Sequence, residues 1–309
     1  MDRLHGAVQA RAVLQEDFFG GWDPSDADLC AKYATPSEAT EGKITDFLGI
    51  KTSSRFHPWA QHLDNKVVGD LPIPDDSLRA EAIEYFAVLK SLEAASPRSF
   101  SVIELGASYA PWTCVAAVLA ERTGRRRSNF VAVEASKYLF DLIPAHLGEN
   151  NIDLGRNNIR LINGAVSAQR EVLQFPKVLN PGENGGQTSK TASEKDYLGR
   201  AVEYEAVQGY PVAEIVGPDV YDLMHIDIQG MEYEVLSASV EILNTQVRAV
   251  FVGTHSRKIE GQLLELFHAN GWKLERERPT KFTYRSNLPD IVAWTTRDGG
   301  QFWTNPRAQ

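Results

Sequence analysis

Asp227 closes a run that is otherwise mainly apolar, Leu223-Met224-His225-Ile226-Asp227-Ile228. A carboxylate that deep in an apolar strand has to find a partner. His255 follows a second apolar run, Val247 to Val252. If the two runs are neighbouring strands, Asp227 and His255 face one cleft. An alcohol is a poor nucleophile until its proton is removed. A histidine of near-neutral pKa suits that task, and a nearby carboxylate can orient it. Asp227, Glu232 and His255 together would also offer the mixed oxygen and nitrogen ligation that suits Mg²⁺ or Mn²⁺. The plainer alternative is that Asp227 caps the helix after it and His255 is a packed hydrogen-bonding residue. His225 sits two residues further from the strand end and reads as packed.

A second set of polar residues lies at earlier strand ends. Val102 to Leu105 leads into Gly106-Ala107-Ser108, with Glu104 beside the turn. Gly106 lets the backbone turn tightly and approach a ligand. Phe130 to Val133 leads into Glu134-Ala135, and an acid there can accept two hydrogen bonds from a ribose diol. Its alternative role is to favour the positive end of the next helix. Ile159 to Ile162 leads into Asn163-Gly164-Ala165, where an adenine would lie against backbone and apolar groups.

The elements that must position these residues alternate. Short apolar strands at 102–105, 130–133, 159–162, 221–228 and 247–252 are separated by helical spacings over 111–122, 136–149, 231–243 and 256–270. Pro111 suits a first helical turn, Ser136 and Ser256 suit N-caps, and Asn270-Gly271 is a stop signal. Such alternation predicts a parallel sheet covered on both faces. Strands at 272–277 and 291–295, with no helix between them, predict an antiparallel final strand, seven in all. Residues 168–220 form a long insertion, with a mobile loop expected at Pro181-Gly182-Glu183-Asn184-Gly185-Gly186.

Residues 1–75 lack this alternation and read as an accessory cap with little regular structure. Leu71-Pro72-Ile73-Pro74 marks the boundary to a catalytic domain over 76–309. A helix capped by Asp76 and running to about Ala95 opens that domain. The cap carries Arg55, His57 and Trp59, a polar and aromatic cluster. With the 180–200 loop it is expected to close over an acceptor. A cap that only packs or dimerises is the alternative, so a homodimer stays open.

The 309 residues carry a net charge of -9, which argues against nucleic acid as the main partner. Two distant cysteines, Cys30 and Cys114, give neither a disulfide framework nor metal-ligand spacing. No signal-peptide core or membrane-length apolar run is present, so a cytoplasmic setting and no membrane partner are expected.

The segment Asp222-Leu223-Met224-His225-Ile226-Asp227-Ile228-Gln229-Gly230-Met231-Glu232-Tyr233-Glu234-Val235-Leu236 is similar to the K-I-D-I-E-G-x-E-x-x-V-L stretch of FkbM-type methyltransferases. Phe251-Val252-Gly253-Thr254-His255-Ser256 resembles the next strand end of that family. Asn163-Gly164-Ala165-Val166 and Leu263 to Trp272 extend the resemblance over about residues 98–296. It implies a Rossmann-like class I methyltransferase sheet and S-adenosylmethionine as cofactor. It also implies O-methylation of a small-molecule hydroxyl, on a sugar or secondary metabolite. The cofactor residues it implies are Glu104, Gly106, Ala107, Ser108, Glu134, Ala135, Asn163, Ala165 and Asp227. Glu104 would help hold the cationic end of the methionine moiety. Gln229 stands where the family often has Glu, and Gly253 where an acid is common. A nicotinamide-dependent oxidoreductase and a non-catalytic nucleotide-binding relative remain the rival readings.

Overall fold

The computed structural model describes residues 21, 23, 25–69, 82–182, 185–288 and 290–308. The Asp76 cap, the 71–74 boundary, Glu183-Asn184 and most of the Phe18–Trp22 cluster lie outside the described residues. The N-terminal part has more regular structure than its sequence suggests. A helix Asp26–Tyr33 precedes strands β1 (Lys43–Asp46), β2 (Lys51–Ser53) and β3 (Lys66–Val68), which form a small sheet in the order β2-β1-β3. β1 and β2 are joined through Gly49, whose φ of +75° is the left-handed turn conformation that glycine takes at little cost. Strands of three and four residues are too short to show a period, which is why the region reads as irregular. Phe47, Leu48, Ile50 and Cys30 enter the same apolar core as the large sheet.

The large sheet is built from β4 (Val102–Leu105), β5 (Phe130–Glu134), β6 (Ile159–Asn163), β10 (Leu223–Ile226), β11 (Ala249–Thr254), β12 (Lys273–Arg278) and β15 (Gly299–Thr304). Their order is β12-β15-β11-β10-β4-β5-β6. The parallel strands β4, β5, β10 and β11 are buried along their whole length, the expected state of a sheet covered on both faces. One face packs on helices Ala82–Ala94, Pro111–Arg122 and Ile143–Glu149. The other packs on Val212–Val216, Glu232–Ala238, Val240–Gln246 and Arg257–Ala269. Strand order reverses between β4 and β10, the switch point where open sheets of this kind build sites. The expected seven strands, mostly parallel with one antiparallel at the end, are present.

The last strand is not where its sequence pattern suggests. Ile291 to Thr295 holds a 3-10 turn, Val292–Trp294, started by the Val292 N–H donating to Asp290 Oδ1 at 2.8 Å. Val292 and Ala293 are buried, so an apolar run imitates a strand. The true final strand β15 opens with Gly299-Gly300, which weakens its strand signal. Glycine is required there: a Cβ on Gly300 would lie 2.9 Å from the Phe251 ring, and one on Gly299 2.5 Å from Glu260 Oε1. A short pair, β13 (Lys281–Phe282) with β14 (Thr295–Arg297), precedes it.

The insertion also folds. β7 (Ala165–Ser167), β8 (Glu171–Pro176) and β9 (Tyr204–Pro211) make a sheet in the order β7-β9-β8 beside the carboxyl end of β6. Among the described residues, no helix is long and apolar enough to cross a membrane.

Candidate active site

The turn after β4 holds the sheet edge together. Gly106 has φ +78°, and a Cβ there would lie 1.8 Å from the carbonyl oxygen of Asp227, so only glycine lets the β4 and β10 ends meet. The N–H groups of Gly106 and Ala107 both donate to the Val133 carbonyl, at 3.0 and 2.9 Å. Ser108 follows in the left-handed region at φ +49° and donates its N–H to Glu134 Oε2 at 2.6 Å. Ser136 N–H donates to Glu134 Oε1 at 2.7 Å. Burial still dominates, and it pushes the Glu134 carboxyl up to about 7. Glu104 is held in the same manner, by Trp112 N–H at 3.0 Å and Thr113 N–H at 2.7 Å. Its first task is therefore to close the N-terminus of the helix Pro111–Arg122. Burial raises its carboxyl as well, against the opposing pull of His225.

Glu134, Gly106, Ser108, Ala135, Ala165 and Asp227 line one cleft at the carboxyl ends of the strands. Its empty space is about 480 Å³ counting the open mouth. Val166 and Phe175 give it an apolar side.

Asp227, His255 and Glu232 form a row whose two inner members, His255 and Glu232, are buried. The His255 ring lies with Nδ1 at 2.7 Å from Glu232 Oε1 and Nε2 at 3.2 Å from Asp227 Oδ1. Burial alone would lower the His255 pKa, but the two carboxylates outweigh it and hold the imidazole well above its ordinary value. Burial alone would raise Asp227. The nearby charge of His255 reverses that and holds Asp227 below the usual carboxylate range. Asp227 is also the open member, with its side chain 42% exposed against 2% for His255. This corrects two expectations. His255 does not reach the cleft wall; it lies buried behind Asp227, which takes the wall position, and its pKa is held above the ordinary histidine value rather than near neutral. The metal set Asp227, Glu232 and His255 does not converge on one point, because the carboxylates spend oxygens on the ring between them. Among the described residues, no group of three or more His, Cys, Asp or Glu side chains is arranged to hold a metal ion.

A second cavity adjoins the first and shares Gly106, Ser108, Asp227 and Gln229 with it. His225 forms part of its wall, stacked between Trp112 and Phe251 with ring centroids 5.4 and 4.9 Å away. His225 Nε2 lies 2.8 Å from Glu84 Oε1. His57 enters this cavity from the N-terminal region, with Nε2 at 2.9 Å from the Tyr109 hydroxyl.

The model of the methyltransferase FkbM domain matches residues 104–278, more than half of the chain. The chain belongs to the FkbM methyltransferase family. A protein of Jannaschia sp. (strain CCS1) that carries the provisional name of methyltransferase is 29% identical over 261 residues, covering 82% of this chain and 90% of its own. Among solved structures, Methyltransferase FkbM from Methylobacillus flagellatus KT aligns with a TM-score of 0.41 at 11% identity. That alignment covers 72% of this chain and 54% of the other, so the chain spans about half the length of that protein. M. capricolum TrmK, in complex with S-adenosyl-homocysteine, aligns with a TM-score of 0.36 at 8% identity, covering 72% and 69% of the two chains.

In this FkbM methyltransferase the sequence motifs mostly meet, with exceptions. Asn163 is exposed, and its Nδ2 donates to the backbone carbonyls of Glu134 and Ala135, so it fastens β6 to β5 and does not line the cleft. Ala107 is buried in the core and touches the second cavity. Of the cap cluster, His57 lines the second cavity, and Arg55 and Trp59 are exposed. Residues that no motif marks also line the two cavities. Phe175, Gly186 and Thr188 come from the insertion, and Glu84 and Asp298 come from distant elements. Gln229 sits at φ +53°, donates Nε2 to Asp227 Oδ1 at 3.2 Å, and accepts the Tyr197 hydroxyl at 3.2 Å. Gly253 lies so close to the Asp227 carboxyl that a Cβ would be 3.4 Å from it, so an acid at 253 would crowd two carboxylates together.

Proposed function

We propose that this FkbM methyltransferase transfers the methyl group of S-adenosylmethionine to a hydroxyl of a small molecule, with Asp227 as the proton acceptor. The observation that carries the reading is the place of Asp227 on the wall shared by the two cavities, backed by His255 and Glu232. The residues present fit the cofactor. Glu134 offers a carboxylate at the second strand end, the position that suits a ribose diol. Gly106 lets backbone approach without a side chain, and Ala135, Ala165 and Val166 offer apolar contact for a base.

When bound, S-adenosylmethionine supplies a methyl carbon activated by sulfonium. Asp227 would receive the acceptor hydroxyl and accept the proton that it gives up. His255 stays protonated and keeps Asp227 anionic and oriented. Glu232, fully buried, fixes the ring from behind. The phenylalanine and glycine of the insertion flank the cleft and limit water. Holding the two reactants in line supplies much of the rate.

The test is methyl incorporation from labelled S-adenosylmethionine across a panel of hydroxylated small molecules. Asp227→Asn is expected to cut turnover by about a hundredfold or more, the scale of general-base catalysis. Undiminished turnover in that variant would remove Asp227 from the reaction.

A further inference from the structure

Residues 279–288 carry Lys281 and Arg285 and no aspartate or glutamate, on a chain whose net charge is -9. The same stretch exposes large apolar side chains. Phe282 is 52% exposed and Tyr284 68%, and Ile291 just beyond them is 40% exposed. The backbone under them is fixed: β13 pairs with β14, and the Thr283 N–H donates to the Trp294 carbonyl at 2.9 Å. Arg257 lies over the Phe282 ring, 5.6 Å from its centroid, and Tyr284 meets Trp294 edge to face at 4.9 Å. Lys258, beside Arg257 in the first turn of the helix Arg257–Ala269, is exposed as well. Asp290, the first acid after the stretch, accepts the Val292 N–H on Oδ1.

Exposed apolar clusters rimmed by polar residues mark interaction sites. Stacked bases need open ring faces, and here Arg257 covers Phe282 while Tyr284 and Trp294 engage each other. Two copies meeting symmetrically through this patch would set their own arginines against each other. Apolar bulk rimmed by cations fits an anionic bilayer, where rings settle at headgroup level and long cationic side chains reach phosphates. Such a contact needs no membrane-length helix. We propose that Phe282, Tyr284 and Ile291, with Arg257, Lys258 and Arg285, dock this chain on an anionic lipid surface. The patch is fastened to the carboxyl edge of the large sheet. Thr295 Oγ1 donates to the His255 carbonyl at 2.6 Å, and a Cβ on Gly230 would lie 3.0 Å from Val292 Cγ2. Docking sets the Asp227 side of the cleft beside the bilayer.

The purified full chain is sedimented with vesicles of phosphatidylcholine, and with vesicles of equal parts phosphatidylcholine and phosphatidylglycerol. The mixed vesicles are expected to bind it at least about fivefold more tightly, because one cation near an anionic surface is worth about that factor. Added salt is expected to weaken this binding. Phe282→Ser with Tyr284→Ser, and separately Arg285→Glu, are each expected to lower affinity for the mixed vesicles by about fivefold or more. All three positions are exposed, so thermal unfolding should match the wild type. If the double variant unfolds early, Arg285→Glu alone decides. No sedimentation with mixed vesicles, equal binding to both compositions, or undiminished binding in Arg285→Glu overturns the proposal. Capture of single-stranded RNA in preference to the mixed vesicles overturns it too and assigns the patch to nucleic acid.

Discussion

On the β4–β5 side of the sheet edge, Glu104 and Glu134 are each held by two backbone N–H groups. On the β10–β11 side, Asp227 and Glu232 share one imidazole. Glu104, Glu134 and Asp227 all sit at or beside the ends of buried strands, yet the first two are shifted in the opposite direction to the third. Backbone N–H groups are neutral dipoles that reduce the cost of burial without cancelling the charge, so Glu104 and Glu134 are both pushed up. An imidazolium supplies a full opposite charge, so Asp227 is pulled down. The first arrangement suits a group that must hydrogen-bond a neutral diol. The second suits a group that must stay anionic beside a sulfonium.

Removing the imidazole should break the comparison most severely. His255→Ala leaves Glu232, which is fully buried, without its counter-ion. The expected loss is about 3–5 kcal/mol of stability in urea unfolding, the scale for a buried pair stripped of one partner. Adding Glu232→Leu should recover most of that loss. A single variant as stable as the wild type would mean that the row is not a charge pair. The sign with pH follows. The His255 pKa is raised in the folded state, so its contribution is complete below the ordinary histidine value and fades as pH rises through the elevated folded value.

The junction between the two sides comes next. Gly106→Ala forces an alanine to φ +78° and a Cβ onto the Asp227 carbonyl. The left-handed conformation alone costs about 1–2 kcal/mol, and the clash adds to it. Thermal unfolding and cofactor titration should both register the change. Wild-type values in both would show that the strand ends are free to move apart.

The backbone-held side is sharpened by pH. With the Glu134 carboxyl near 7, S-adenosyl-homocysteine should bind more tightly as pH rises from 6 to 8 and the carboxylate becomes available to the ribose. Stability of the ligand-free protein should fall as pH rises from the ordinary glutamate range to about 7, because the folded state then holds a proton that the unfolded chain has lost. Glu134→Gln should flatten both profiles, and profiles that keep their slopes would assign the titration elsewhere. The smallest effect is expected at Tyr197→Phe, which removes the hydroxyl whose one proton is shared between Gln229 Oε1 and the Gly185 carbonyl. A single hydrogen bond of this kind is worth about 0.5–1.5 kcal/mol, read as a modest fall in stability with cofactor affinity retained.

The two sides were also unequally legible. Buried parallel strands, glycine turns and serine caps leave local signatures. The sheet, the Gly106 turn, Ser136 and Ser256 as N-caps, and the pairing of Asp227 with His255 could therefore be read from residue types and spacing. Which member of that pair faces the cleft could not be read. It depends on Glu232 closing over the ring from the following helix, a contact that spacing does not encode. Asn163 occupies the expected strand end but turns to backbone carbonyls. Phe175, Glu84 and Asp298 reach the cavities from separate elements, and nothing local marks them. β15 escaped notice because the packing of Phe251 and Glu260 demands glycines where a strand would otherwise show β-branched residues.

Asp227 can act as proposed only if the cleft between Gly106 and Glu134 takes S-adenosylmethionine. Calorimetric titration of the purified protein with S-adenosylmethionine, S-adenosyl-homocysteine, NAD and NADP tests it directly. The first two should bind and the nicotinamide cofactors should not bind comparably, with Glu134→Ala weakening the first two by about 1–3 kcal/mol. Binding of NAD or NADP in preference to S-adenosyl-homocysteine, or undiminished affinity in Glu134→Ala, would contradict it.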